Sequence, residues 1–164
     1  MRKHSAVCTS VMACALACVM ATAACGRTAD VASRVRVEVV ASGWRDAGPV
    51  SGRNKVVPSA SVKVVNVSDA TLPTVQVNAV FHRNGENGEW GNAFGVAAGS
   101  SGLTPGGDAT VTLQSDRGYT GDDPQDRMLT NRQFVDVTVD VFAKYGSQQW
   151  SRVGAFPIER RLLP

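Results

Sequence analysis

Val135-Asp136-Val137-Thr138-Val139-Asp140-Val141 sets an aliphatic side chain at every odd position and a polar one at every even position. Such a period of two builds a β-strand with one buried and one wet face, whereas a helix would scatter the same valines around its axis. The pattern continues in both directions. Downstream, Tyr145-Gly146-Ser147 turns the chain into a last strand over about residues 148–158. Upstream, Ala109, Val111 and Leu113 alternate with polar partners up to Gln114, after a turn at Leu103-Thr104-Pro105-Gly106-Gly107.

Further upstream, Val75, Val77, Ala79 and Phe81 share one face of a strand over about residues 74–83. It ends at Asn84-Gly85 and Asn87-Gly88, residues that tolerate positive φ, so a hairpin into a strand over residues 89–96 is predicted. A strand over about residues 59–67 carries Val62 and Val64 inward and is followed by the turn Asn66-Val67-Ser68-Asp69. The first strand shows Val35, Val37 and Val39 against Arg34, Arg36 and Glu38. The only helical hint is Pro124 to Leu129, where Asp123 is placed to cap a short helix. About seven short strands separated by turn signals predict an all-β fold, an immunoglobulin-like antiparallel β-sandwich, with an open barrel as the alternative.

One stretch carries a family likeness. With its Asn66-Val67-Ser68-Asp69 turn, Leu72, Val75-Gln76-Val77 and Phe81, then Leu103-x-Pro105-Gly106, the chain resembles the FxLYD-type and related immunoglobulin-like domains of uncharacterised bacterial lipoproteins, over about residues 58–115. In place of the name-giving segment it carries Asn78-Ala79-Val80-Phe81-His82. The resemblance implies a fold and assigns no activity.

The first residues give an address. Arg2 and Lys3 precede an uncharged run ending in Thr22-Ala23-Ala24-Cys25-Gly26, the layout of a bacterial export signal. With a cysteine at the cut, it resembles a lipoprotein signal in which Cys25 is acylated. The expected organisation is a signal over residues 1–24, a lipidated tether over residues 25–33 and one β-sandwich domain over residues 34–164. Gly26 after Cys25 resembles the pattern that permits outer-membrane delivery, with the domain on the periplasmic or surface side. Two rivals stand beside this: ordinary secretory cleavage after Ala24, and an uncleaved helix, since about 20 apolar residues span a bilayer. Alanine, cysteine, serine and threonine make that helix a poor one.

Composition narrows the functional classes. All four cysteines, Cys8, Cys14, Cys18 and Cys25, fall within the first 25 residues, which leaves the domain without a thiolate metal site or a disulfide. Losing Arg2 and Lys3 brings the net charge of +3 close to neutral, so nothing points to nucleic acid. Without its first 24 of 164 residues, the chain has a size at which one domain buries about 70% of its unfolded surface.

Chemistry is sparse. His82 is the only histidine beyond the signal and reads as an exposed residue at a strand end; no G-x-S-x-G or S-x-x-K stretch accompanies it, so no catalytic residue and no enzyme is expected. Asp116, Asp122, Asp123 and Asp126 offer the oxygen ligands calcium prefers, but they miss the alternating spacing of a calcium loop, and Arg117 and Arg127 stand ready to neutralise them. No metal and no cofactor is therefore expected.

The long connections carry the binding expectation. In immunoglobulin-like order the connection after the first strand, the Asn-Gly hairpin and the connection before the penultimate strand share one pole, and the chain enters at the other. Residues 45–55, 84–90 and 119–132 would then point away from the membrane. Trp44, Trp90, Tyr119, Asp122 and Asp123 are the candidate partner-binding residues, for an unidentified envelope protein or glycan. The alternative is an assembly subunit of an envelope complex that uses a sheet edge for strand addition.

Overall fold

A computed structural model describes residues 30–164, so the expected signal, Cys25 and the other cysteines lie outside the described residues. The described chain runs α1 (Val31–Arg34), β1 (Val35–Val50), β2 (Arg53–Asn66), β3 (Val75–Arg83), β4 (Gly91–Val96), β5 (Asp108–Gln114), β6 (Tyr119–Gly121), α2 (Gln125–Thr130), β7 (Val137–Tyr145) and β8 (Ser151–Pro157). β1-β2-β5 form one antiparallel sheet, with β6 also paired to β2, and β4-β3-β7-β8 form the other. The fold is an all-β sandwich in immunoglobulin-like strand order.

The alternation seen in the sequence is what closes the core. Val137, Val139, Val141 and Ala143 of β7 and Val75, Val77, Ala79 and Phe81 of β3 are buried, facing Val56, Ala60, Val62 and Val64 of β2. Their polar neighbours remain half-exposed on the outer face.

Several expectations change. First, residues 45–55 are not a loop. β1 and β2 continue as a hairpin to Val50↔Arg53, and Ser51 and Gly52 turn it with φ of 52° and 78°. Positive φ at both central residues is the twist that suits a two-residue hairpin turn.

Second, Val39 is not buried. Val40 has no partner on β2, because the register slips between Val39 and Ala41. The inward side therefore changes from odd to even positions: Val35 and Val37 are buried before the slip, Ser42 and Trp44 after it, while Val39 is 37% exposed. One extra residue in one strand reverses its faces in this way.

Third, residues 31–34 are folded onto the domain. Asp30 caps the single turn α1 by accepting from the Ala32 N–H at 3.1 Å, and Val31 is buried in the core. Fourth, the described residues hold eight strands rather than seven, since Tyr119, Thr120 and Gly121 pair with Val56, Lys55 and Asn54. Asp123 does not cap α2. Pro124 occupies the cap position, without a side-chain hydrogen bond there.

The C-terminal tail finishes the sandwich. The Trp44 N–H donates to the Arg161 carbonyl at 2.8 Å, and the Leu163 N–H donates to the Trp44 carbonyl at 2.7 Å. Gly43 makes this approach possible, since a Cβ there would stand 2.7 Å from the Arg161 carbonyl oxygen. Among the described residues no helix is long and apolar enough to cross a membrane.

Candidate functional site

The hairpin from β3 to β4, the connection from β5 to β7 and the C-terminal tail meet at one pole. The chain enters at the other, where the Val67 N–H donates to the Arg34 carbonyl at 2.9 Å. Because β1 is re-phased at Val40, Trp44 points inward and becomes the centre of an aromatic cluster. Its ring centroid lies 4.7 Å from Phe134, 5.5 Å from Tyr119 and 6.5 Å from Trp90. Tyr119 also lies 5.1 Å from Trp90 and 4.8 Å from Phe134. Spacings of this kind add favourable quadrupole contacts to simple burial.

Two arginines close over the cluster. The Arg83 guanidinium stands 5.4 Å from the Tyr119 ring and 5.9 Å from the Trp90 ring, and Arg160 stands 5.2 Å from the Phe134 ring. Acidic neighbours fix both: Arg83 pairs with Glu86 at 3.0 Å, and Arg160 pairs with Asp136 at 2.5 Å. Arg160 also donates to the Phe134 carbonyl at 2.9 Å. The Tyr119 hydroxyl donates to the Val135 carbonyl at 3.2 Å, and burial holds its phenol above the usual tyrosine range although Arg83 acts against it.

A cavity of about 150 Å³ opens beside the cluster. Tyr119, Phe134 and Met128 give it apolar walls, and Asp123, Asn131 and Gln133 give it polar ones. Drug-sized ligands take pockets of about 300–1,000 Å³. This one suits a single ring or side chain.

Three of the five candidate binding residues are thus brought together, in an arrangement unlike an exposed platform. Trp44 is fully buried, inside a strand rather than on a loop, because the slip at Val40 turns it into the core. Trp90 and Tyr119 are half-buried against it. Asp122 is exposed and pairs with Arg53 at 3.0 Å. Asp123 lines the cavity, and its backbone carbonyl accepts from Asn54 Nδ2 at 2.9 Å.

Asp116 lies apart from the other acidic residues of this connection, accepting from the Asn92 N–H at 2.9 Å. Among the described residues no three metal-ligating side chains converge. His82 is half-buried. Its Nδ1–H donates to the Gly88 carbonyl at 2.8 Å, and Nε2 lies 3.7 Å from Asp140, which holds Arg152 at 2.6 Å.

Sequence reasoning missed Phe134, Met128, Asn131 and Gln133. They fall in a stretch with no periodicity, and nothing in their spacing announces a shared wall.

No known family's profile matches the chain, and no curated protein does. Among solved structures, the X-ray structure of Northeast Structural Genomics Consortium target SoR45 is similar. The match has a TM-score of 0.44 and 14% identity, and covers 78% of this chain and 88% of that one.

Proposed function

We propose that this chain is a non-catalytic, exported cell-envelope lipoprotein whose distal pole binds a glycan, with peptidoglycan as the substrate class within reach of a lipid-anchored domain. The observation that carries the reading is the cavity chemistry. Tyr119 and Phe134 supply aromatic surface, and Asp123, Asn131 and Gln133 supply planar hydrogen-bonding groups around it. An aromatic wall takes the apolar face of a sugar ring, and carboxylate or amide groups take its hydroxyls. Of the two partners weighed from sequence, protein and glycan, this donor and acceptor set favours the second.

The test is cosedimentation with purified peptidoglycan sacculi. Asn131→Ala and Gln133→Ala, both at exposed positions, should each weaken binding about tenfold, the equivalent of about 1.4 kcal/mol; Gln133→Ala should leave the unfolding midpoint unchanged, whereas Asn131→Ala also removes the acceptor of the Gln133 N–H. Equal binding by wild type and both variants would exclude the cavity as the binding site.

The anchor is tested separately. Cys25→Ser should move the protein from the membrane fraction to the soluble one, because acyl chains contribute about 0.8 kcal/mol per buried CH₂. An unchanged distribution would refute lipidation at Cys25.

A second reading, strand addition in an envelope assembly, draws on one observation. β4 is an edge strand without a charged residue, and Phe94 and Val96 are 59% and 52% exposed. Natural sheet edges are usually guarded by charge, proline or a covering segment.

A further inference from the structure

We propose that the β4 edge is where two copies of this chain pair, antiparallel and about a two-fold axis through Gly95. This pairing rests on the strand-addition reading, gives it a partner, and is independent of the cavity.

The hydrogen-bonding parity of β4 carries it. The Ala97 N–H donates to the Val75 carbonyl at 2.8 Å, so the odd positions of this strand bond to β3. Even positions face outward. Asn92 is the first of these, and Asp116 occupies both its groups: the Asn92 N–H donates to Asp116 Oδ1 at 2.9 Å, and the Asp116 N–H donates to the Asn92 carbonyl at 3.3 Å. At the other end the ladder stops, where the Ala98 N–H also turns back to the Val75 carbonyl at 3.1 Å. Between these stops, the N–H and C=O groups of Phe94 and Val96 point off the sheet.

This open window is two residues long and self-complementary. With Gly95 opposite Gly95 of a second copy, Phe94 of each copy faces Val96 of the other, and four backbone hydrogen bonds form. A register centred on Phe94 would meet Asn92, which Asp116 occupies; one centred on Val96 would meet Ala98, whose N–H is already bonded. A foreign strand of any length finds the same two residues and gains no further ladder.

Charge agrees with a self-pairing seam. β4 carries no charged side chain, and neither do Gln76, Asn78 and Val80, the outward residues of β3 beside it. The paired residues therefore set no like charges directly opposite one another, an arrangement that costs stability, while Asp116 and Lys144 flank the seam. The other edge of this sheet differs, since β8 carries Arg152 and Pro157. The exposed aromatics lie on the face that the seam would extend: Phe94 stands 6.4 Å from Trp150, which is 40% exposed.

Size sets the strength. A fully buried aromatic side chain covers about 150–250 Å², so Phe94 and Trp150 of two copies supply roughly a few hundred Å² beyond the backbone contact. That falls below the roughly 1,200 Å² of a stable specific interface. The dimer is weak and concentration-dependent, and it is favoured where an anchor crowds copies together.

The experiment is sedimentation equilibrium across a wide concentration series, on the protein purified from cells expressing the full chain, in the processed form they yield. Wild type should show a monomer–dimer equilibrium. Phe94→Lys places a charge at the seam, and Val96→Pro removes an outward N–H that no intramolecular bond uses; both should be monomeric over the same range, with folding checked by near-UV circular dichroism. A wild type that is monomeric throughout would leave the edge to another protein's strand and overturn the proposal. So would a Val96→Pro variant that dimerises as wild type does while Phe94→Lys does not, because the contact would then run through the face of the sheet.

Discussion

Replacing Trp44 by alanine should lower the free energy of unfolding by about 3–5 kcal/mol, the range for truncating a buried tryptophan or phenylalanine. Domains of ordinary stability have about 5–15 kcal/mol in total. The variant would therefore sit close to its threshold, with a urea midpoint far below that of wild type. The size of the effect follows from position: Trp44 is fully buried, and Phe134, Tyr119 and Trp90 all pack against its ring.

Trp44→Phe separates packing from polarity. The indole Nε1 is buried without a hydrogen-bond partner, so exchanging it for phenylalanine loses volume but also removes an unsatisfied donor. Its cost should be well under half that of the alanine variant. Equal losses in the two variants would mean that the indole nitrogen itself stabilises the fold, contrary to a role for Trp44 in packing alone.

Asn66 is the second position where a large loss is expected, at the pole where the chain enters. It is fully buried, and its side chain joins two turns. Nδ2 donates to the Ala70 and Leu103 carbonyls, both at 2.8 Å, while Oδ1 accepts from the Ser68 N–H at 2.9 Å and the Ser68 hydroxyl at 2.7 Å. Its backbone completes the clasp: the Gly106 N–H donates to the Asn66 carbonyl at 2.9 Å, and the Asn66 N–H donates to the Gly107 carbonyl at 3.0 Å.

Asn66→Leu removes one of the two donors to the Leu103 carbonyl, which keeps the Leu72 N–H at 2.9 Å, and leaves the half-buried Ser68 N–H without its acceptor. At about 1–3 kcal/mol for an unsatisfied group of this kind and about 1 kcal/mol for each further hydrogen bond lost, a loss of about 2–3 kcal/mol is expected in urea unfolding. Asn66→Asp makes the sharper test. It keeps the acceptor for Ser68 but turns a second acceptor toward two carbonyl oxygens. That variant should be strongly destabilised at neutral pH and recover part of the loss in acid, where a protonated carboxyl donates again. A pH-independent loss would show that the clasp does not act through these hydrogen bonds.

Much of the fold was legible because strands with one wet face advertise themselves. Val137 to Val141 and Val75 to Phe81 alternate without interruption, and Asn84-Gly85 supplies the chemistry that a hairpin needs. Legibility failed where geometry departs from simple alternation. Val39 and Val40 are both valine, so nothing in the sequence says that the second has no partner and reverses the faces of β1. Gly48, Pro49, Ser51 and Gly52 read as a loop, because strands seldom contain them. Yet the hairpin twist asks for positive φ at Ser51 and Gly52, and an irregular register accommodates Gly48 and Pro49.

The candidate site was half visible for the same reason. Tryptophan and tyrosine draw attention as residue types, so Trp44, Trp90 and Tyr119 stood out and do converge. That Trp44 supports the cluster from inside depends on the unseen slip at Val40. Phe134 and Met128 come from a connection with no periodic pattern, and only the folded chain sets them beside Tyr119. The Phe94 and Val96 edge was hidden differently. Composition marks β4 as uncharged, but which of its backbone groups remain open depends on where Asp116 lands.

The most direct test of glycan binding is a competition experiment. Wild-type protein bound to purified peptidoglycan sacculi would be challenged with soluble glycan strands stripped of their stem peptides and, separately, with the stem peptides alone. Glycan recognition at the distal pole predicts saturable binding that the glycan strands displace and the peptides do not. Absence of binding to sacculi, or displacement by the peptides alone, would contradict it.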